Sequence, residues 1–209
     1  VAVEQPAFDA DQVSRFLLTA EKTGLQVLLV LTKCDLLDAD ALSQLRTRLR
    51  GWGYEPMLVS TRSGMGLEEL RAQLATVPIS VLCGPSGVGK TSLLNALLPG
   101  LALRVGAVSG RLQRGRHTTR HVELHAFSPG SRVADTPGFN RPELPDDVSN
   151  LEVLFPELRV QLDQHPCRFR DCLHRDEPGC GVTRDWERYP LYRKAVEELL
   201  EISRPFRAG

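Results

Sequence analysis

No stretch constrains this chain more than Gly84-Pro-Ser-Gly-Val-Gly-Lys-Thr91. It fits G-x-x-x-x-G-K-[ST] and lies between a short apolar run, Ile79-Ser-Val-Leu-Cys83, and the helix-forming run Ser92-Leu-Leu-Asn-Ala-Leu-Leu98, closed by Pro99-Gly100. The first run reads as a buried strand and the second as a helix, the setting a phosphate-binding loop requires. Gly84 and Gly89 let main-chain N–H groups close around phosphate oxygens with no Cβ in the way. Lys90 would neutralise charge on the β- and γ-phosphates, and Thr91 would offer its hydroxyl to Mg²⁺. The helix N-terminus adds its own preference for an anion. The plain alternative is a glycine-rich turn without a ligand, and the flanking strand and helix argue against it.

Strand-like and helix-like stretches alternate on the N-terminal side of this loop. After Pro6 and the capping run Asp9-Ala-Asp11, residues Val13, Phe16, Leu17 and Ala20 recur at helical spacing. Residues 26–31 read as a buried strand running into Thr32-Lys-Cys-Asp35. A helix over 39–49, the turn Gly51-Trp-Gly53 and a strand over 56–59 follow, the strand ending in Ser60-Thr-Arg-Ser-Gly64. A helix over 67–74 leads to the phosphate-loop strand. Such alternation predicts an α/β fold with a mainly parallel sheet, whose ligands gather at the carboxyl ends of the strands. Each polar tetrapeptide falls at such an end. Asp35 there can accept both N1–H and N2–H₂ of guanine, a donor pair adenine lacks. Lys33 can lay its aliphatic stem along the base, and Ser60 and Thr61 can bring a backbone N–H to guanine O6. The bland alternative for these residues is a polar strand end.

Beyond the loop, residues 100–115 are glycine-dotted and basic, and loops of this length are usually functional or disordered. Formal net charge is zero, so a nucleic-acid partner must be met by a local patch. Arg104, Arg111, Arg114, Arg116, Arg120 and Arg132 supply one, with only Glu123 opposing them between residues 100 and 133. Strands are expected over 121–127 and 131–135, the second ending in Asp135-Thr-Pro-Gly-Phe139. Asp135 suits Mg²⁺ or its water shell, and Gly138 can present an N–H to a γ-phosphate.

In the last third, Cys167-x₄-Cys172-x-His174-x₅-Cys180 offers three thiolates and an imidazole, a closed tetrahedral Zn²⁺ shell. Little apolar sequence surrounds it, and a small segment lacking a core needs such a staple. The alternative is a set of unpaired buried cysteines. Cys34 and Cys83 end strands and read as core residues. Phe155, Leu158 and Leu162 mark one helix. Trp186, Tyr189, Tyr192, Val196, Leu199 and Leu200 mark an amphipathic tail, started or kinked near Pro190, that reads as core rather than as a binding surface. An odd count of five cysteines argues against a secreted disulfide scaffold. No apolar run approaches the length of a membrane span, and the N-terminus lacks a signal-peptide layout. The start at Val1 suggests a processed or truncated N-terminus.

Thr32-Lys-Cys-Asp35, Ser60-Thr-Arg-Ser-Gly64, the phosphate loop, His117-Thr-Thr-Arg120 and Asp135-Thr-Pro-Gly-Phe139, with the cysteine cluster, resemble the ribosome small-subunit biogenesis GTPases (RsgA, also called YjeQ). Ordinary GTPases carry the same five elements with the phosphate loop first, so this order is a circular permutation. The resemblance spans nearly the whole chain. It implies a permuted GTPase domain over 1–145 and a helical zinc-binding domain over 146–209. It further implies slow hydrolysis of GTP to GDP and phosphate, stimulation by the small (30S) ribosomal subunit, and a role in that subunit's late maturation with contacts to its rRNA. The cofactors expected are GTP or GDP, Mg²⁺ and one structural Zn²⁺. A monomer without membrane association is expected, cytoplasmic in a bacterial setting or in the chloroplast stroma of a plant.

The nucleotide site is expected to comprise Thr32, Lys33, Asp35, Ser60, Thr61, Gly84, Pro85, Ser86, Gly87, Val88, Gly89, Lys90, Thr91, Ser92, Thr119, Asp135 and Gly138. Thr119 joins Thr91 on Mg²⁺, because other GTPases place the metal-binding threonine immediately before an arginine. Phe139 stands where many GTPases carry a water-orienting glutamine, and an apolar side chain cannot take that role. His117, which adjoins the Thr118-Thr119 pair expected to approach the metal and γ-phosphate, is the expected catalytic partner of Lys90, with a loop or RNA-contact role as its alternative. Two departures from the family stand out. Thr32 replaces the usual asparagine and has fewer hydrogen-bonding groups, which predicts looser nucleotide binding, and no OB-fold domain precedes the GTPase motifs. Two rival functions remain at this point: a guanine-nucleotide switch for a protein partner with zinc serving only the fold, and a zinc nucleic-acid-binding module with a vestigial nucleotide site.

Overall fold

The computed structural model describes residues 1–98, 100–101, 123–135, 144–145 and 147–202. Its packing separates into two compact units, one of residues 1–13, 28–45 and 56–141, the other of residues 14–27, 46–55 and 142–209.

In the first unit, β1 (Val30–Leu31) pairs in parallel with β2 (Met57–Leu58). The expected strand over 26–31 is regular only at its end, although the ladder is extended by Met57 N–H donating to Leu29 O at 2.9 Å and Val59 N–H to Leu31 O at 2.8 Å. Helix α1 (Ala10–Glu21), whose residues from Ser14 on belong to the second unit, precedes β1 and is capped by Asp9, whose carboxylate accepts the Gln12 N–H at 3.0 Å. Asp38 caps α2 (Ala39–Gly51) in the same way through Ala41. Helix α3 (Leu67–Ala75) is entered through Gly66 at φ 68°. An added Cβ there would lie 2.0 Å from Leu58 O, so the turn from β2 admits no other residue.

A second sheet has the order β3-β5-β4, from β3 (Ile79–Leu82), β4 (Glu123–Ser128) and β5 (Ser131–Asp135). The central β5 is parallel to β3 and antiparallel to β4, so two of the three strand pairings among the described residues are parallel. Helix α4 (Lys90–Leu97) follows β3 directly. Leu70 and Leu74 of α3 and Leu93 and Leu97 of α4 pack with Val59, flanked by Val30, Met57 and Phe127, into one apolar cluster. That cluster fixes the start of α4 beside the ends of the strands.

The strand before the phosphate loop departs from expectation. It is one-sided rather than buried: Ile79 is 58% and Val81 39% exposed. Among the described residues β3 pairs only with β5, and one of its faces is left uncovered. Cys34 is buried as expected, but Cys83 is exposed and is not a core residue.

The second unit contains α5 (Pro156–Gln164), α6 (Tyr189–Ile202) and the short 3₁₀ turns Val148–Asn150 and Glu152–Leu154. It does not lack a core. Leu18, Leu151, Leu154, Phe155, Leu158, Val182, Tyr192, Val196 and Leu199 form a continuous buried cluster. Arg188 is buried against Glu157, its Nε donating to Oε1 at 2.6 Å, and lies over the rings of Trp52 and Phe155 at 5.0 and 4.9 Å. A buried cation of this kind is tolerated because it is paired and stacked. Helix α6 begins at Tyr189 with Pro190 in its first turn, where a missing N–H costs nothing, and Trp186 lies before it.

Candidate nucleotide site and metal-ligand cluster

The phosphate loop joins β3 to α4, and three of its residues need glycine for conformational reasons. Gly84, Gly87 and Gly89 have φ of 145°, 81° and 94°, while an added Cβ would meet no protein atom closer than 3.5 Å. Backbone conformation, not crowding by the protein, is the requirement.

Four carbonyls of the loop accept hydrogen bonds from side chains. Lys90 Nζ donates to Gly84 O at 2.6 Å and Pro85 O at 3.0 Å. Lys33 Nζ donates to Gly87 O at 2.9 Å and to Gln5 O. The Thr32 hydroxyl reaches Val88 O at 2.6 Å and Val1 O at 3.1 Å. Thr32 and Lys33 thus bind consecutive carbonyls of a loop more than fifty positions away. Thr32, although it has fewer hydrogen-bonding groups than asparagine, keeps a link to the phosphate loop. The Lys33 ammonium is engaged by main-chain oxygens, an anchor beyond the role expected of its aliphatic stem.

Asp35 is exposed in the 3₁₀ turn Cys34–Leu36, and its carboxylate accepts the Ser60 hydroxyl at 2.5 Å. Ser60 is fully buried, and its oxygen also accepts the Arg62 and Ser63 N–H groups, each at 3.2 Å. The sequence points to a main-chain role only for Ser60. Its side chain holds the aspartate and shapes the next turn, and no local spacing signals a bond across 25 positions. Thr61 and Ser86 are exposed, and Thr91 is buried one residue into α4, ahead of Ser92. Asp135 ends β5 in register with Leu82, beside the strand entering the loop. His117, Thr119, Gly138 and Phe139, together with Arg104, Arg111, Arg114, Arg116 and Arg120, lie outside the described residues.

In the second unit Cys167, Cys172, His174 and Cys180 come together, their donor atoms all within 4.8 Å of one another. His174 Nδ1 lies 3.4 Å from Cys167 Sγ and 3.6 Å from Cys180 Sγ, and the two sulfurs are 3.9 Å apart. Burial pushes the Cys172 thiol up to about 12 and raises Cys180 as well. Taking these sulfurs as thiolates therefore requires a cation strong enough to displace their protons. His174 sits at φ 55° in a turn whose carbonyls are held from α6: Tyr192 hydroxyl donates to Leu173 O at 3.2 Å, and Tyr189 hydroxyl to His174 O and Arg175 O at 3.1 and 3.2 Å. Among the described residues no helix is long and apolar enough to cross a membrane.

A Thr-Lys-Cys-Asp segment that precedes the phosphate loop in sequence, yet grips it in space, fits the class of circularly permuted P-loop GTPases. The family model described as RsgA GTPase matches residues 1–145, and the chain belongs to that family. A Synechococcus sp. (strain CC9311) protein named small ribosomal subunit biogenesis GTPase RsgA is 75% identical over all 209 residues, which cover 69% of that relative. Its namesake in Synechococcus sp. (strain CC9605) is 68% identical, with the same coverage. Among solved structures, YjeQ from Thermotoga maritima matches with a TM-score of 0.77 at 37% identity, covering 96% of this chain and 69% of the other. YloQ, described as a circularly permuted GTPase, matches with a TM-score of 0.72 at 30% identity, covering 99% and 68%.

Proposed function

We propose that this chain binds guanine nucleotide, hydrolyses GTP to GDP and phosphate, and acts in late maturation of the small (30S) ribosomal subunit. Membership of the RsgA GTPase family and the names of the relatives support this reading. The observation that carries it is the double grip of Thr32 and Lys33 on the phosphate loop, which links a base-recognition segment to a phosphate cradle. In the complex, Asp35 accepts from the guanine N1–H and N2–H₂ while Ser60 holds its carboxylate in place. The main-chain N–H at Thr61 serves O6, since the Ser60 N–H expected beside it is donated to Met65 O at 3.0 Å. Residues Gly84 to Ser92 wrap the phosphates, and Lys90 exchanges the carbonyls of Gly84 and Pro85 for phosphate oxygens. Thr91 and Thr119 hold Mg²⁺, Asp135 its water shell, and Gly138 the γ-phosphate. The metal supplies charge neutralisation at the transferring phosphoryl group. His117 orients or deprotonates the attacking water.

The cluster fits Zn²⁺ as a structural ion. Bond lengths of about 2.3 Å to sulfur and about 2.05 Å to nitrogen give tetrahedral edges of about 3.8 Å between sulfurs and about 3.5 Å between sulfur and nitrogen. The Cys167–Cys180 sulfur pair at 3.9 Å and the Nδ1 distances of 3.4 and 3.6 Å match both, and Cys172 Sγ lies within 4.8 Å of these three donors. We read residues 1–145 as the GTPase domain and 146–209 as the zinc domain, in a cytoplasmic monomer that meets rRNA through its arginine-rich stretch.

Purified 30S subunits titrated into a GTPase assay test the proposal, with a rise in kcat as the expected result. Turnover without stimulation would favour a switch with a protein partner, and no turnover would leave a vestigial nucleotide site. His117→Ala should lower the stimulated kcat by about 10²-fold at unchanged GTP affinity. An unchanged kcat would move the catalytic group to the ribosomal partner.

A further inference from the structure

We infer that Glu152 is a positioning residue for the metal-ligand cluster: its carboxylate holds the His174 ring with Nδ1 turned toward the thiols. The inference rests on the reading that the cluster takes up a cation. Glu152 lies 22 positions before His174, outside the Cys-x₄-Cys-x-His-x₅-Cys span, so the ligand spacing does not contain it.

His174 Nε2 is 2.9 Å from Glu152 Oε2, while Nδ1 on the other side of the ring faces the sulfurs of Cys167 and Cys180. A neutral imidazole has one N–H and one lone pair, and an ionised carboxylate can only accept. The proton therefore resides on Nε2, and the lone pair of Nδ1 points at the cluster. The opposite tautomer would aim a lone pair at a negative oxygen and an N–H at the metal position. The carboxylate also pushes electron density into the ring, which makes Nδ1 the better donor.

Both ends of this contact are anchored. His174 is 2% exposed, the tyrosine hydroxyls of α6 hold its own carbonyl and that of Leu173, and Glu152 is the polar partner of Nε2. Glu152 stands between Leu151 and Leu154, both buried in the core of the second unit. Its own side chain is 40% exposed, as suits a group that supports a ligand from outside rather than coordinating.

Nitrogen-15 spectra of the zinc-loaded chain test the tautomer directly. The expected pattern for His174 is a protonated Nε2 and a metal-bound Nδ1; metal on Nε2 would overturn the inference without any variant. Zinc affinity, read by competition with a chromophoric chelator, tests the energetic side. Glu152→Ala should weaken zinc binding about 10- to 100-fold, with Glu152→Gln, which keeps an acceptor but no charge, in between. Affinity of Glu152→Ala within twofold of the parent would overturn the positioning role alone. A parent chain that takes up no zinc would overturn the cluster reading together with it, so the two failures are distinguishable.

Discussion

In the phosphate loop the groups that meet a ligand are main-chain atoms on consecutive residues, shaped by glycines at positive φ and tied through four carbonyls to Lys90, Lys33 and Thr32. In the thiol–imidazole cluster they are side chains, gathered by a turn whose own carbonyls hang from tyrosines of α6. Bonds from Thr32 and Lys33 hold the loop's shape from outside it, so a ligand there is gained on top of a formed structure. The cluster buries the Cys172 and Cys180 thiols, which raises their pKa, so these donors gain most from folding when a cation joins them. A damaged nucleotide site should therefore lose binding, and a damaged cluster should lose structure.

The largest effect is expected from Cys172→Ala, or from a strong chelator. Structural zinc in small domains contributes up to about 10–16 kcal/mol of apparent binding energy, all of it coupled to folding. The core of the second unit should leave partial structure behind, with hydrogen-exchange protection lost first over residues 167–182. A melting curve indifferent to chelator would erase the contrast between the two sites. Lys90→Ala comes next: loss of a charged contact to phosphate costs about 2–5 kcal/mol, or roughly 30- to several thousand-fold in GTP affinity. Its melting temperature without nucleotide should stay close to the parent's. A large drop would mean that the bonds of Lys90 to Gly84 and Pro85 serve the fold instead.

Thr32→Val sharpens the comparison, because it removes a buried hydroxyl that belongs to both the fold and the site. Leaving Val88 O without this donor should cost about 1–3 kcal/mol, seen as a lower melting temperature together with weaker GTP binding. Thr32→Asn should restore a donor and recover both. A valine variant that binds GTP like the parent would show that the guanine segment does not act through the phosphate loop. The smallest change is Tyr192→Phe, which deletes one bond to Leu173 O and should lower stability by about 1 kcal/mol without altering zinc stoichiometry.

Much of both sites was legible in the chain because their requirements are local. A strand, three glycines at turn positions and a helix write the phosphate loop within some twenty residues. The Cys and His spacing writes four ligands within fourteen. The caps Asp9 and Asp38 are equally local, since each carboxylate serves an N–H three residues on.

What only the tertiary structure decided concerns partners far apart in the chain and the surfaces that cover a segment. An apolar run does not state which of its faces will be covered, so Ile79, Val81 and Cys83 read as buried and are exposed. The segment around the cluster reads as poor in core because the apolar groups that complete its unit, Leu18 and Trp52 among them, stand more than a hundred positions earlier. Ser60 on Asp35, Thr32 on Val88 and Glu152 on His174 are single hydrogen bonds between residues 22 to 56 positions apart. No periodicity or propensity encodes such a pair. It exists only once independent elements have packed and brought a donor within 3 Å of an acceptor.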